Sequence, residues 1–301
     1  MAHQHITLTA KFRSDLILLL AAVIWGFAFV AQRAGMAYVG PFTYNGVRFT
    51  LGVLVLMPLL IRNWKQGQPL FFPSAKFSRG KIVLGALATG VLLTGGVAFQ
   101  QIGLQTTTAG KAGFITGLYV VLVPLAGILL GHRSSPAIWV GAALSLAGLY
   151  FLSVQGRFSL AQGDILVVCC AIIFTFHVLM IAWLSPLMNS YLLAVIQFAV
   201  CAVINLVIAL STETVFSGKI LEAWLPIAYG GVLSVGVAYT LQVVAQKTAH
   251  PGYASIILSL EAVFAVAGGW ILLDEHLTGR MLAGCVLMLT GFLFTSLRLR
   301  S

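Results

Sequence analysis

The chain has 301 residues, of which 60% are hydrophobic and only 8% are charged. A soluble domain carries about a quarter charged residues, so this composition excludes a soluble fold and indicates a protein with many membrane spans. The net charge of +10 is therefore interpreted by its location relative to the membrane. It does not indicate nucleic-acid binding, because no basic stripe with interleaved aromatic residues accompanies it.

Ten stretches of mostly apolar residues, each about 20 residues long, predict ten membrane-spanning helices. They cover roughly 15–37, 41–62, 81–104, 109–131, 137–154, 164–184, 190–211, 223–247, 251–273 and 279–297. Turn-forming pairs such as Gly40-Pro41 and His250-Pro251 separate them. The first stretch follows basic residues, as in a signal peptide, but it continues without a small-residue cleavage site, so we expect a retained helix. Pro124 predicts a kink in the fourth span.

Lysine and arginine are distributed unequally between the two sets of loops, which predicts the orientation. If the N-terminus is cytoplasmic, eleven of the 17 basic residues are cytoplasmic, five are external and Arg48 is inside a span. The eleven are Lys11, Arg13, Arg62, Lys65, Lys76, Arg79, Lys81, Arg133, Lys247, Arg298 and Arg300; the five are Arg33, Lys111, Arg157, Lys219 and Arg280. The acidic loop residues are all external: Asp164, Glu213, Glu222, Asp274 and Glu275. The sequence therefore predicts a multi-pass protein of the cell (inner) membrane with both termini in the cytoplasm.

The two halves of the chain share an ordered series of polar, aromatic and glycine landmarks. A shift of 149 residues pairs Asp15 with Asp164, Trp25 with Phe174 and Arg48 with Gln197; a shift of 140 pairs 96-GVAF-99 with 236-GVAY-239; a shift of 143 pairs Gly141 with Gly284 and Gly148 with Gly291. Five spans per half is an odd number, so the second half must enter the membrane from the opposite side. The predicted fold is an all-α membrane protein of ten transmembrane helices. These form two inverted five-helix repeats, 15–156 and 160–298, between short cytoplasmic segments 1–14 and 299–301.

On these residues the chain resembles the EamA-type members of the drug/metabolite transporter superfamily. The motifs are 25-WGFAF-29, Pro41 followed by 48-RF-49, 113-GFITGLYVVLVP-124, 259-SLEAVFA-265, 274-DEHLTGRMLAG-284 and Gly291, and together they extend over nearly the whole chain. The resemblance implies a carrier that exports small ligands by alternating access, without fixing the substrate among amino acids, other metabolites and drugs. One departure is His132, which stands where such repeats usually carry a glutamate, as Glu275 does in the second copy.

Two ionisable residues lie well inside predicted spans, where such groups are candidates for function if they face the bundle interior. Arg48 shares a helix face with Tyr44, Asn45 and Gly52, and this face is predicted to meet other helices rather than lipid. Arg48 is predicted either to bind a substrate carboxylate or to brace neighbouring helix ends. Glu261 is predicted either to bind a coupling proton or to hydrogen-bond a neighbouring helix terminus permanently.

Amide and aromatic side chains recur at helical spacing in several spans and predict the lining of a cavity. They are Tyr239, Gln242 and Gln246 in the eighth span, Thr94, Gln101 and Gln105 in the third, Trp25, Phe29 and Gln32 in the first, and Phe174 and His177 in the sixth. The alternative is hydrogen bonding that only holds the helices together. The predicted substrate-binding residues are Trp25, Arg48, Gln101, Tyr119, His177, Gln197, Tyr239, Gln242 and Glu261.

The remaining reactive residues show no pattern typical of an enzyme. Cys169, Cys170, Cys201 and Cys285 lie in apolar runs without ligand spacing, which predicts free thiols and no metal or cofactor. The sequence has no HExxH, GxSxG or phosphate-loop motif. A channel would need a continuous polar path or a charged ring, which one arginine and one glutamate do not provide.

The predicted function is therefore secondary-active export of a small organic solute, an amino acid, related metabolite or drug, with protons as a candidate coupling ion. The alternative is an exchanger or importer of sugar-phosphate or nucleotide-sugar solutes, although a phosphate dianion would favour a stronger basic cluster. An intramembrane enzyme is a distant third. The predicted partners are the substrate and the lipid bilayer, without nucleic acid; the oligomeric state stays open.

Overall fold

The computed structural model describes residues 8–107, 109–153, 162–215, 217–273 and 276–300. These residues are almost entirely helical, and the only extended pairing among them is an isolated bridge between Phe71 and Met188. The helices are α1 (Leu8–Gly35), α2 (Pro41–Lys65), α3 (Arg79–Gly103), α4 (Ala109–Gly117), α5 (Tyr119–Leu129), α6 (Pro136–Ser153), α7 (Gln162–Leu184), α8 (Ser190–Thr212), α9 (Ser217–Glu222), α10 (Trp224–Ala228), a π-helix (Tyr229–Tyr239), α11 (Thr240–Ala245), α12 (Pro251–Leu258), α13 (Glu261–Leu273) and α14 (Gly279–Arg300).

The described helices form ten membrane crossings, as predicted. Nine helical runs in these residues are long and apolar enough to span a bilayer, and the shorter apolar helix α6 supplies the tenth crossing. Three crossings are composite: α4 with α5, α12 with α13, and α10 with the π-helix and α11. We call the end of the bundle where α1 begins the N-face and the other end the opposite face. Arg157, Asp274 and Glu275, which contributed to the predicted orientation and resemblance, lie outside the described residues.

The fourth and ninth crossings are each interrupted near the middle. Leu118 separates α4 from α5, and Ser259 with Leu260 separates α12 from α13. Hydropathy did not indicate these interruptions, because a hydropathy pattern records apolar length and not the continuity of the backbone hydrogen bonds. Pro124, at which a kink is predicted, lies within α5, after the interruption at Leu118. Discontinuous helices at corresponding positions of two repeats are common at transporter binding sites.

The eighth crossing contains an eleven-residue π-helix, Tyr229–Tyr239. π-Helical segments are rare and occur frequently at functional sites. This one is glycine-rich, and its backbone packs directly on α2: a Cβ added at Gly231 would lie 2.9 Å from the carbonyl oxygen of Arg48. The close approach brings the wide turn of the π-helix against the part of α2 that carries Arg48.

Helices α6 and α14 cross through two pairs of glycines that record the repeat symmetry. A Cβ added at Gly148 would lie 2.6 Å from the carbonyl oxygen of Gly284, and a Cβ at Gly141 would lie 3.1 Å from that of Gly291. The repeat aligns Gly141 with Gly284 and Gly148 with Gly291. The contact of Gly148 with Gly284 and the contact of Gly141 with Gly291 are therefore equivalent under the repeat symmetry. They lie on two antiparallel helices, as an inverted repeat requires.

The glycine crossing gives a stability prediction. Gly148→Ala is expected to lower the free energy of unfolding by about 1–3 kcal/mol, because the methyl group would be forced against backbone and the helices would have to separate. The matched control is Gly279→Ala, since nothing lies within 4 Å of a Cβ added there. Thermal unfolding of the detergent-solubilised protein measures both. Equal melting temperatures for the two variants would show that α6 and α14 do not pack as described.

Helices α2 and α8 are joined at both of their ends. At the opposite face the Glu213 carboxylate accepts hydrogen bonds from the backbone N–H groups of Phe42 and Thr43 at 2.9 and 2.8 Å, which caps the first turn of α2. At the N-face the backbone N–H of Phe72 donates to the carbonyl of Leu187 at 2.9 Å. These contacts join one helix of each repeat into a pair that supports one side of the bundle.

His250 caps the start of α12 at the N-face. Its Nδ1 accepts a hydrogen bond from the backbone N–H of Gly252 at 3.2 Å, and its ring centroid lies 6.3 Å from that of His132. Burial, together with the charge of His132, lowers the pKa of His250 below its ordinary value of 6.5. A hydrogen bond to the backbone of Arg133 raises this pKa, but its effect is smaller. The cap requires the neutral imidazole, because protonation removes the Nδ1 lone pair.

His250 is therefore expected to make stability depend on pH. A lowered folded-state pKa favours the neutral form, so the stabilisation is fully present above pH 6.5 and is lost as the pH falls through the lowered pKa. The melting temperature should fall between about pH 7 and pH 5. His250→Asn keeps a capping acceptor without this titration and should flatten the profile, whereas the exposed His276→Asn should not. An unchanged slope in His250→Asn would contradict this assignment.

Candidate substrate-binding site

A cavity lies between the hydrophobic clusters of the bundle and is lined by both repeats. Its volume is about 40 Å³, which is enough for a few water molecules. The lining residues are Trp25, Phe29, Gln32, Arg48, Gln100, Thr116, Tyr119, Phe174, His177, Val178, Ser234, Tyr239, Gln242, Leu258 and Glu261. Both helix interruptions and the π-helix contribute to the wall, so the three irregular parts of the bundle meet at this cavity.

Arg48 reaches the cavity from α2 and is almost completely buried, with 2% of its surface exposed. Its Nε donates to Asn45 Oδ1 at 3.0 Å, and its guanidinium carbon lies 5.2 Å from the ring centroids of both Tyr44 and Phe49. Cation–π contacts of this kind replace part of the lost hydration. No carboxylate within the described parts of the chain forms an ion pair with Arg48. The predicted bundle-facing side of α2 is confirmed, because Tyr44, Asn45, Arg48 and Gly52 are all buried.

Glu261 reaches the cavity as the first residue of α13, directly after the interruption of the ninth crossing. It is 5% exposed, and its Oε1 accepts a hydrogen bond from the Tyr119 hydroxyl at 3.1 Å. Tyr119 is itself the first residue of α5, after the corresponding interruption in the other repeat. The hydrogen bond therefore links the two broken crossings, and the N-terminal position of Glu261 suits a negative charge because of the helix dipole.

Aromatic rings form one wall of the cavity. The ring centroids of Trp25 and Tyr239 lie 4.6 Å apart, and those of His177 and Tyr239 lie 6.1 Å apart. The Trp25 Nε1–H donates to the carbonyl oxygen of Ser234 at 3.2 Å, which fixes the indole against the π-helix. Phe174 continues the wall, with its ring centroid 6.0 Å from that of His177. Such a wall accommodates apolar or ring-bearing parts of a ligand.

Three amide side chains supply polar atoms to the cavity. Gln100 Nε2 donates to the hydroxyl of Thr116 at 3.2 Å. Gln32 and Gln242 are 4% and 1% exposed, and the Oε1 atoms of both are buried without a hydrogen-bond partner. Buried acceptors without partners are costly, so these two oxygens indicate where a bound molecule would supply donors.

The structure brings seven of the nine predicted substrate-binding residues to the cavity: Trp25, Arg48, Tyr119, His177, Tyr239, Gln242 and Glu261. The other two lie behind it. Gln101 donates from Nε2 to the carbonyl of Gln32 at 3.3 Å, and Gln197 Oε1 lies 2.8 Å from His177 Nε2. Their placement indicates support of lining residues rather than direct contact. Substrate binding by each of the nine stays a prediction.

Several lining residues were not among those predicted. Gln100 lines the cavity, whereas in the predicted stripe of α3 Gln105 is exposed and the Thr94 hydroxyl donates to the carbonyl of Gly90. Adjacent residues on a helix differ by about 100° in direction, so Gln100 lay outside the stripe that Thr94, Gln101 and Gln105 define. No sequence pattern indicated that Thr116 and Ser234 line the cavity, since single hydroxyl residues are common in membrane helices.

Fold and site together define a class: a multi-pass membrane protein of two inverted five-helix repeats, with a polar and aromatic cavity between them. The comparisons with known proteins agree. The profile of the EamA-like transporter family matches residues 12–154 and 161–297, and the chain belongs to this family. It is therefore a member of a family of membrane transporters of small solutes, as the resemblance in its motifs implied.

Similar proteins extend over most of the chain. An uncharacterized transporter of Archaeoglobus fulgidus is 33% identical over 288 residues, which are 95% of this chain and 86% of the relative. The uncharacterized transporter YoaV of Bacillus subtilis is 23% identical over 282 residues, 89% of this chain and 91% of the relative. A solved crystal structure with 21% identity superposes with a TM-score of 0.76 over 96% of this chain and 99% of that one. This last similarity supports the fold.

Proposed function

We propose that the protein is a secondary-active carrier that exports a small organic solute, an amino acid, related metabolite or drug, across the cell membrane by alternating access. The observation that carries this proposal is the cavity between the repeats, in which the interrupted crossings present Tyr119 and Glu261 to each other and α2 presents Arg48. We also propose, from the distribution of basic residues, that the N-face and both termini are cytoplasmic.

Alternating access is supported by the contracted state of the cavity. About 40 Å³ holds water but no organic solute, so the walls must separate for a substrate to enter. The helix interruptions at Leu118 and at Ser259–Leu260 are positions where crossings can bend without breaking regular hydrogen bonds. The inverted repeat supplies two equivalent ways of opening, one toward each face.

Proton coupling is proposed at Glu261. It is the one carboxyl group among the residues that line the cavity, and acidic residues inside membrane bundles are typical proton carriers. The hydroxyl of Tyr119 can hydrogen-bond the carboxyl group in either protonation state. Exchange of a proton for the solute at this position would allow an inward proton gradient to drive export.

Transport of phosphorylated solutes finds less support in the site. Arg48 is the one lysine or arginine among the lining residues, whereas a phosphate dianion is normally held by several charge-assisted hydrogen bonds. The aromatic wall of Trp25, Phe174 and Tyr239 would also leave a highly charged solute next to apolar surface.

The test is transport by the purified protein in liposomes. Vesicles with and without an inward-directed pH gradient are given a panel of amino acids, related metabolites and cationic drugs. We expect saturable flux of at least one solute, counterflow when it is present on both sides, and acceleration by the gradient. No saturable flux for any member, or ion conductance without saturation, would overturn the proposed function.

A further inference from the structure

The cavity is lined by one basic and one acidic side chain that do not pair with each other. Arg48 and Glu261 both line it, yet within the parts of the chain that the structure describes no nitrogen of Arg48 lies within 4.0 Å of a carboxylate oxygen. In a low-dielectric interior, opposite charges attract strongly, and an isolated buried ion is costly. Because Arg48 and Glu261 line one cavity without pairing, each is available to bind a complementary group on a bound molecule.

The surroundings of Arg48 support an anionic partner. The Nε–H of Arg48 donates to Asn45 Oδ1. The rings of Tyr44 and Phe49 have their centroids 5.2 Å from the guanidinium carbon. Among the described residues, the bond from Nε is the one hydrogen bond that the guanidinium makes. A carboxylate fits the fork of two terminal N–H groups in bidentate geometry.

The surroundings of Glu261 favour a group that carries N–H donors. Besides this carboxyl group, the cavity wall includes the unpartnered amide oxygens of Gln32 and Gln242, both more than nine-tenths buried. Three acceptor groups in one small cavity match the three donors of a primary ammonium. A quaternary ammonium carries the same charge but no N–H, so it would leave these oxygens unpaired.

We propose that the transported solute is a zwitterion with an N–H-bearing ammonium group, which bridges the cavity between Arg48 and Glu261. The anionic group of the solute binds the guanidinium of Arg48, and its ammonium donates to Glu261, Gln32 and Gln242. A proton and the ammonium then compete for the same carboxylate, so that binding one releases the other. This inference rests on the proposed transport function and adds the chemical class of the substrate.

The experiment compares matched solutes in the same liposomes. Each of the 20 common amino acids is tested as a competitor of counterflow beside its carboxamide, its N,N,N-trimethyl betaine and its deaminated acid, together with cationic dyes. We expect one or more amino acids to give saturable flux and all three analogues to compete at least tenfold more weakly, on the order of one lost charged hydrogen bond.

Two variants test whether Arg48 causes the preference for the amino acid over its carboxamide. Arg48→Gln should reduce the preference for the acid over its carboxamide from tenfold to within about twofold. Arg62→Gln, an exposed arginine at the N-face end of α2, should leave the preference intact. If Arg48→Gln does not fold, the analogue series on the unmodified protein decides the matter alone.

The outcomes separate the two proposals. Flux restricted to cations or to simple anions, or carboxamides and betaines that compete within twofold of the amino acid, would overturn the zwitterion inference and leave the carrier function standing. Absence of saturable flux for the whole panel would overturn both. An acid-over-amide preference that survives in Arg48→Gln would remove Arg48 from the inference.

Discussion

Glu261→Gln is expected to abolish the acceleration of export by a pH gradient. The glutamine keeps the size of the side chain and an oxygen that can accept the hydrogen bond from Tyr119, but it can neither bind a proton nor carry a negative charge. The initial rate under an inward proton gradient should fall at least tenfold, to the level measured without the gradient, because one charge-assisted contact and the coupling step are both lost.

The measurement is proton movement coupled to solute, followed with a pH-sensitive dye inside the vesicles. Glu222→Gln is the matched control, since Glu222 is an exposed carboxylate that pairs only with the neighbouring Lys219 in the described residues. Tyr119→Phe gives a further comparison, because it keeps the carboxyl group and removes its hydrogen bond. Dye response that persists in Glu261→Gln would exclude Glu261 as the proton-binding group.

Lys111→Met is expected to destabilise the protein more than Gly148→Ala. Lys111 Nζ lies 2.5 Å from Asp164 Oδ2, and the Asp164 side chain is completely buried. The hydroxyl of Thr107 also donates to this carboxylate, at 2.7 Å. Removing the lysine breaks an ion pair to a buried carboxylate, which typically costs about 3–5 kcal/mol. The contact joins the start of α4 to the start of α7, so its loss should loosen the opposite face of the bundle.

The control is an ion pair of the same kind in a different environment. Lys219 Nζ and Glu222 Oε2 lie 2.9 Å apart, but both side chains are about half exposed, and such surface pairs contribute about 0–1 kcal/mol. Lys219→Met should therefore leave the melting temperature almost unchanged, while Lys111→Met should lower it by several degrees. Similar shifts in both variants would show that the Asp164 pair is solvated in the folded protein.

Much of the architecture could be predicted because the bilayer imposes strong and simple requirements. A crossing needs about 20 apolar residues, so ten crossings can be counted from hydrophobic length, and an odd number in each half requires the second half to be inverted. The burial of Arg48 followed from the same requirement, since Tyr44, Asn45 and Gly52 on its helix face are poor lipid-facing residues beside a charge.

The details of the site depended on atoms that are far apart in the sequence. Tyr119 and Glu261 meet across 142 positions, and the interruptions that bring them together lie in spans whose hydropathy is continuous. Gln100 lines the cavity although the neighbouring Gln101 was predicted to do so. In each case the choice among nearly equivalent local arrangements was made by packing against other helices.

The amino-acid sequence by itself determined that this is a helical membrane protein, how many times it crosses, that its halves are inverted copies, and that Arg48 faces the bundle. These properties follow from the exclusion of unpaired polar groups from hydrocarbon, which acts on every stretch of chain separately. The tertiary structure alone decided where crossings four and nine break, where the π-helix forms, and which polar atoms share the cavity. Those depend on close contacts between distant helices, such as Gly148 against Gly284, which no local pattern encodes.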